Sequence, residues 1–129
     1  MFEAQQALDR AKDCLDDSEF NLSNGRTIVT VNRAYYCIFY CMNAALFTKE
    51  IYAKTHAGTQ NKFSEYFIQT SIFPKEFSVF INDAFLRRQS GDYDMGSKIS
   101  EEEAEKMLQN ARIIYQFVNE YFQDLIKNQ

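Results

Sequence analysis

Residues 26–47, RTIVTVNRAYYCIFYCMNAALF, decide the fold of this chain. Apolar side chains recur at Ile28, Val31, Tyr35, Ile38, Met42 and Ala45, and a neighbouring row runs through Tyr36, Phe39, Tyr40 and Leu46. Three-and-four spacing kept over about six turns predicts a helix that is apolar on most of its circumference. Such a helix belongs inside a bundle, because a surface helix shows a single apolar stripe. Asn32, Arg33 and Asn43 interrupt the pattern. A charge and two amides on a buried helix each need a partner, so they form either a structural polar network or part of a site.

Ahead of this stretch, Ala4, Leu8, Ala11 and Leu15 predict an amphipathic helix over residues 2 to 19. The turn residues of Asn21 to Gly25 then join the two helices as an antiparallel hairpin. Behind it, TKEIYAKTHAGTQ (48–60) reads as a loop around His56, the single histidine. Phe63, Tyr66 and Phe67 share one face of a short third helix over residues 60 to 70. Pro74 suits the first turn of a fourth helix, which runs through Phe77, Phe80, Ile81, Ala84 and Phe85 and ends at Arg87 and Arg88. Gln89 to Ile99, QSGDYDMGSKI, reads as an exposed loop. Ser100 with Glu103 forms a capping box, which starts a last helix carrying the stripe Ala104, Leu108, Ala111, Tyr115, Val118, Phe122 and Leu125. No strand pattern or internal repeat is visible. The expectation is a single all-α domain over residues 1–129, an up-and-down helical bundle of four to five helices.

Composition narrows the function classes. The chain has 129 residues, with 12 Phe and 8 Tyr. Each buried ring removes about 150 to 250 Å² from water, worth about 4 to 6 kcal/mol before entropy is subtracted. That is more aromatic surface than a small bundle hides, so a homodimer is expected. A net charge of −4 and a pI near 5.0 exclude coating of nucleic acid by bulk electrostatics; any RNA site must be local. Cys14, Cys37 and Cys41 read as buried thiols in a reducing cytosol. Cys37, Cys41 and His56 lack the polar, turn-rich setting of a metal site, so neither metal nor cofactor is expected. The N-terminus shows no export signal, and the longest apolar run, Ala34 to Met42, is too short for a bilayer. These features predict a cytoplasmic protein with no membrane contact.

Three elements then occur in order: Asn32-Arg33-Ala34-Tyr35-Tyr36 in the second helix, Thr55-His56-Ala57-Gly58 beyond it, and Arg87-Arg88 ahead of Asp92-Tyr93. In that order the chain resembles the HEPN family over nearly its whole length, and is most similar to its small stand-alone prokaryotic branch. The resemblance implies a dimeric helical bundle, often encoded beside a minimal nucleotidyltransferase that serves as its partner protein. Many such proteins are metal-independent RNA endonucleases of toxin–antitoxin or phage-defence systems. The family's nuclease motif is an Arg followed, four to six residues on, by a His. The Arg holds a phosphate through its fork, and the His moves the proton of an attacking 2′-hydroxyl.

This sequence departs from that motif, since Asp92, Tyr93 and Asp94 stand where the His is expected. Tyr93 would have to lose about 3 pKa units to act as a base at neutral pH, about 4 kcal/mol. The candidate site is therefore Arg87, Arg88, Asp92 and Tyr93 as catalytic residues, with Asn32, Arg33, Tyr36 and His56 binding substrate or supporting the site. His56 replaces the motif His only if its loop reaches the arginines. Each residue also has a plainer role: Asn32 and Arg33 pairing with an acid such as Asp92 or Glu103, His56 bracing its loop, Arg87 and Arg88 solvated at a helix end, and Tyr35, Tyr36 and Phe39 in the core or a dimer interface. Two functions follow, an RNA-directed endoribonuclease toxin or a catalytically inactive module that docks a nucleotidyltransferase.

Overall fold

The computed structural model describes residues 1–93, 96 and 98–129, with Tyr93 described by its backbone alone. Helix α1 spans Phe2–Ser23, α2 Thr27–Phe47, α3 His56–Phe63, α4 Glu76–Tyr93 and α5 Glu101–Lys127. A π-helical turn, Ser64–Ile68, continues α3. Among the described residues there is no strand, and the all-α bundle expected from the periodicity is what forms.

Helix α2 stands at the centre. It packs against α1, α3, α4 and α5, and buries Val31, Ala34, Tyr35, Cys37, Ile38, Cys41, Met42, Ala44, Ala45 and Leu46 around most of its circumference. The hairpin with α1 is closed by Gly25, whose φ of +71° is open to glycine at little cost. Its N–H donates to Leu22 O at 3.0 Å and that of Arg26 to Asn21 O at 2.9 Å, which satisfies the last carbonyls of α1. Across the hairpin, Ser18 Oγ donates to Thr30 O at 2.7 Å, inside a fully buried seam. The same seam holds the free thiols of Cys14, Cys37 and Cys41, and burial pushes Cys14 and Cys41 up from the ordinary thiol range. Toward the C-terminal end of α2, the rings of Phe63, Phe67, Phe73 and Phe77 follow one another at centroid separations of 5.5, 5.5 and 5.9 Å. Lys49 Nζ lies 5.5 Å from the Phe67 ring at this end.

Four boundaries differ from the sequence expectation. Helix α1 runs to Ser23 rather than 19. Helix α3 begins at His56, inside the stretch expected to be loop, because Thr55 Oγ1 accepts the Gly58 N–H at 2.9 Å and caps it. Helix α4 starts two residues beyond Pro74 and does not stop at Arg88. It continues to Tyr93 through Gly91, where an added Cβ would stand 3.3 Å from Ile28 Cγ2 and 3.2 Å from Ile99 Cδ1. That glycine serves a close approach of helices rather than a turn. Asp94, Met95 and Ser97, from the expected loop, lie outside the described residues. At α5, Ser100 Oγ accepts the Glu103 N–H at 3.0 Å, as expected, whereas the Glu103 carboxylate is turned toward α4.

Replacing Gly25 by Ala forces a Cβ into the left-handed region and is expected to lower stability by about 1 to 2 kcal/mol. Urea unfolding followed by circular dichroism reads this directly, and an unchanged midpoint would contradict the closure described for the hairpin.

Candidate functional site

The site forms where the N-terminal half of α2, the first residue of α3 and the end of α4 meet. Enclosing α2 withdraws water from its polar groups, so Asn32, Arg33 and Tyr35 must find partners on neighbouring helices. Arg88 and Asp92, one helical turn apart on α4, supply them. Arg88 is only 12% exposed, and its Nη1 lies 3.7 Å from Asp92 Oδ2 and 3.3 Å from the Tyr36 hydroxyl, to which it donates. Its guanidinium carbon is 4.9 Å from the Tyr35 ring centre, 5.8 Å from Tyr36 and 6.0 Å from Phe85. A cation among three ring faces is partly compensated for its lost hydration.

Asp92 is held from the other side by Asn32, whose Nδ2 donates to Oδ2 at 3.2 Å and Oδ1 at 3.4 Å. The Asn32 carbonyl accepts the Arg33 fork, Nε at 2.9 Å and Nη2 at 2.7 Å. Arg33 in turn lies 5.1 Å from the Tyr36 ring centre and offers Nη1 to Cys14 Sγ at 3.9 Å. The pairing of Asn32 with Asp92 anticipated from the sequence is thus present, in a chain that reads Arg33, Asn32, Asp92, Arg88, Tyr36.

His56 enters from α3. Its Nδ1 is 2.7 Å from the Tyr35 hydroxyl, and its ring stacks on Phe39 at 4.2 Å. Tyr35 is 2% exposed, and its desolvation raises its pKa to about 12, with the Arg88 charge partly opposing. Its hydroxyl keeps its proton at neutral pH, and across the contact with His56 Nδ1 it donates to one imidazole tautomer and accepts from the other. Desolvation, followed by the positive charge of Arg88, lowers the His56 pKa below its ordinary value, so the ring is neutral at pH 7. His56 therefore reaches the Arg88 region, the condition the sequence left open.

Arg87 does not join this cluster. Adjacent helical residues point in different directions, and its Nη1 pairs with Glu103 Oε2 of α5 at 3.2 Å, beside Asp83 and Lys106. The candidate set thus separates: Arg88, Asp92, Asn32, Arg33, Tyr36 and His56 come together, while Arg87 faces α5. Tyr93 is part of α4 by its backbone; its side chain, like Asp94, lies outside the described residues. Sequence reasoning treated Tyr35 and Phe39 as core and missed that they seat the histidine. The signal was the Tyr35 hydroxyl, which on a buried helix requires a partner. Among the described residues, no group of three His, Cys, Asp or Glu side chains could hold a metal ion, and no helix is long and apolar enough to cross a membrane.

A family model described as the HEPN domain matches residues 4–121. A protein of Methanocaldococcus jannaschii named "putative toxin" is 38% identical over 120 residues, which are 92% of this chain and 81% of that one. A second protein of that organism, under the same description, is 27% identical over 96% of this chain and 92% of its own length. A Thermotoga maritima protein named as a UPF0332 protein is 33% identical, covering 90% of this chain and 88% of its own.

Because folded His56 binds its proton less readily than an unfolded histidine, the unfolded state takes up more protons once the pH falls below about 6.5. Stability supplied by this residue is therefore present above that value and is lost on acidification through it. As the single histidine, His56 gives one imidazole Cε1–H resonance. Its NMR titration is expected to have a midpoint below 6.5, and Arg88→Met should move it upward; a wild-type midpoint at or above 6.5 would refute the desolvated pocket.

Proposed function

The chain belongs to the HEPN domain family, and from that premise we propose that it is a toxin-type protein directed at RNA, acting as a metal-independent endoribonuclease through Arg88 and His56. The toxin names carried by two relatives support the first part. One observation carries the second: Arg88 and His56, 32 positions apart in sequence, flank the same Tyr35 ring, with the guanidinium carbon 4.9 Å from its centre and Nδ1 2.7 Å from its hydroxyl. A phosphate binder and a group that titrates near neutrality are the two components that cleavage at a 2′-hydroxyl needs.

In this reading Arg88 binds the scissile phosphate. His56 acts as the tautomer that carries its proton on Nδ1, donated to the Tyr35 oxygen, so that the lone pair on Nε2 takes the 2′-hydroxyl proton. The O2′–P bond forms, the P–O5′ bond breaks, and the departing O5′ takes a proton from water. The products are a 2′,3′-cyclic phosphate and a 5′-hydroxyl. Asp92 and Asn32 orient Arg88 rather than touch substrate. A homodimer belongs to the same proposal: Val79 at 59% and Leu86 at 52% exposure on α4, with Ile113 and Phe117 on α5, offer apolar surface for a second copy. A nucleotidyltransferase-type protein is the proposed antidote partner.

A second reading, an inactive module that docks this partner, is favoured by the Arg88–Asp92 pair at 3.7 Å, since a carboxylate beside the guanidinium competes with a phosphate. The two separate in one experiment, incubation of purified protein with total and transfer RNA in EDTA. The nuclease reading expects cleavage that falls at least about 100-fold in Arg88→Ala and in His56→Gln, while Arg87→Ala stays within about twofold of wild type. Absence of cleavage by a folded wild-type dimer would leave the docking module.

A further inference from the structure

On the side of Tyr36 that faces α1, a groove of about 280 Å³ opens between α1 and α2, lined by Arg10, Asp13, Asp17, Arg33, Tyr36 and Tyr40. Two cation–ring pairs build it. Arg33 lies 5.1 Å from the Tyr36 ring centre and Arg10 5.9 Å from that of Tyr40, and the two rings are 6.4 Å apart. The Arg33 plane is fixed, because its fork is bound to Asn32. Opposite, Asp13 and Asp17 stand one helical turn apart on exposed positions of α1, and among the described residues neither forms an ion pair. The volume lies just below the range of small-ligand pockets, which begins at about 300 Å³, and suits one nucleotide rather than a strand.

We propose that this groove is a subsite for one guanine nucleotide of an RNA strand, the nucleotide next to the phosphate bound at Arg88. The inference rests on the RNA reading above. Single-stranded bases are held against aromatic and guanidinium planes and read along their Watson–Crick edges; Arg33 with Tyr36 supplies such planes. An ionised carboxylate only accepts hydrogen bonds, through two oxygens. Guanine alone among the four RNA bases presents two adjacent donors, N1–H and the N2 amine, so Asp13 or Asp17 selects it. Adenine and cytosine place an acceptor beside their amine, and uracil sets its one donor between two acceptors. Arg10, exposed at the rim, holds the phosphate of the same nucleotide. Equal numbers of arginines and aspartates make the groove neutral, which fits a ligand with a donor edge at one end and an anion at the other. Tyr36 joins this groove to the Arg88 cluster, since its ring lies against Arg33 and its hydroxyl accepts from Arg88.

The test is an NMR titration of the full chain with guanosine, adenosine, cytidine and uridine 5′-monophosphates, following the Tyr36 and Tyr40 ring resonances. The guanine nucleotide should bind about tenfold more tightly than the others, the discrimination one bidentate base contact gives. Asp13→Asn combined with Asp17→Asn should remove that preference, and Arg10→Ala should weaken all four nucleotides alike. Equal affinity for the four, or no shift at these rings, would overturn the subsite. So would shifts caused by a lysine-rich peptide and by no nucleotide, which would make the groove a protein-docking surface. Guanine binding without RNA cleavage in EDTA would remove the nuclease reading and leave the subsite standing; cleavage with no preference for guanine would do the reverse.

Discussion

Enclosing α2 on nearly all sides sets the terms for everything around it. A helix that buries Val31, Ile38, Cys41, Met42 and Leu46 needs neighbours on each face, and α1, α3, α4 and α5 are placed by that need. The same enclosure strips water from Asn32, Arg33 and Tyr35, at a cost of a few kcal/mol for any polar group left without a partner. Asn32, Arg33 and Tyr35 all lie in the N-terminal half of α2, so the helices that cover this half must bring complementary groups. Arg88, Asp92 and His56 are those groups. The chemistry of the site is thus a consequence of where the core helix is polar.

Arg88 shows how this electrostatic problem is met. Removing a guanidinium from water is unfavourable unless charge and hydrogen bonds replace the solvent. Here a carboxylate at 3.7 Å, a tyrosine hydroxyl at 3.3 Å and three ring faces replace it. The arrangement acts on its neighbours: the positive charge disfavours protonation of His56 and opposes the upward pull of burial on Tyr35. A cation held in this way is pre-oriented, and an anion that binds it meets little reorganisation.

The pattern of α1, α2 and α5 was legible because long periodic stripes and a serine cap carry their own signals, and Ser100 caps α5 where it was expected to. The order of Asn32, His56 and Arg88 along the chain was legible too, through a resemblance. What local composition concealed was the continuation of α4 through Gln89, Ser90, Gly91 and Asp92, residues that favour turns when nothing packs on them. Ile28 and Ile99 pack on Gly91, and tertiary contact overrides propensity there. That extension puts Asp92 one turn beyond Arg88. The separation of Arg87 from Arg88 was concealed for another reason: neighbours in sequence are about 100° apart around a helix, and only the position of α5 decides which of the two faces the pocket.

The three thiols in the α1–α2 seam have a use beyond filling space. Cys14 lines the groove between α1 and α2, whereas Cys37 and Cys41 are fully buried and burial holds the Cys41 thiol in the unreactive protonated form, so an alkylating reagent reaches these two when α1 lifts away from α2. Their rate of modification is therefore an intrinsic clock for breathing of the hairpin, readable by mass spectrometry without any introduced label. Whatever occupies the neighbouring groove between these two helices should slow that clock.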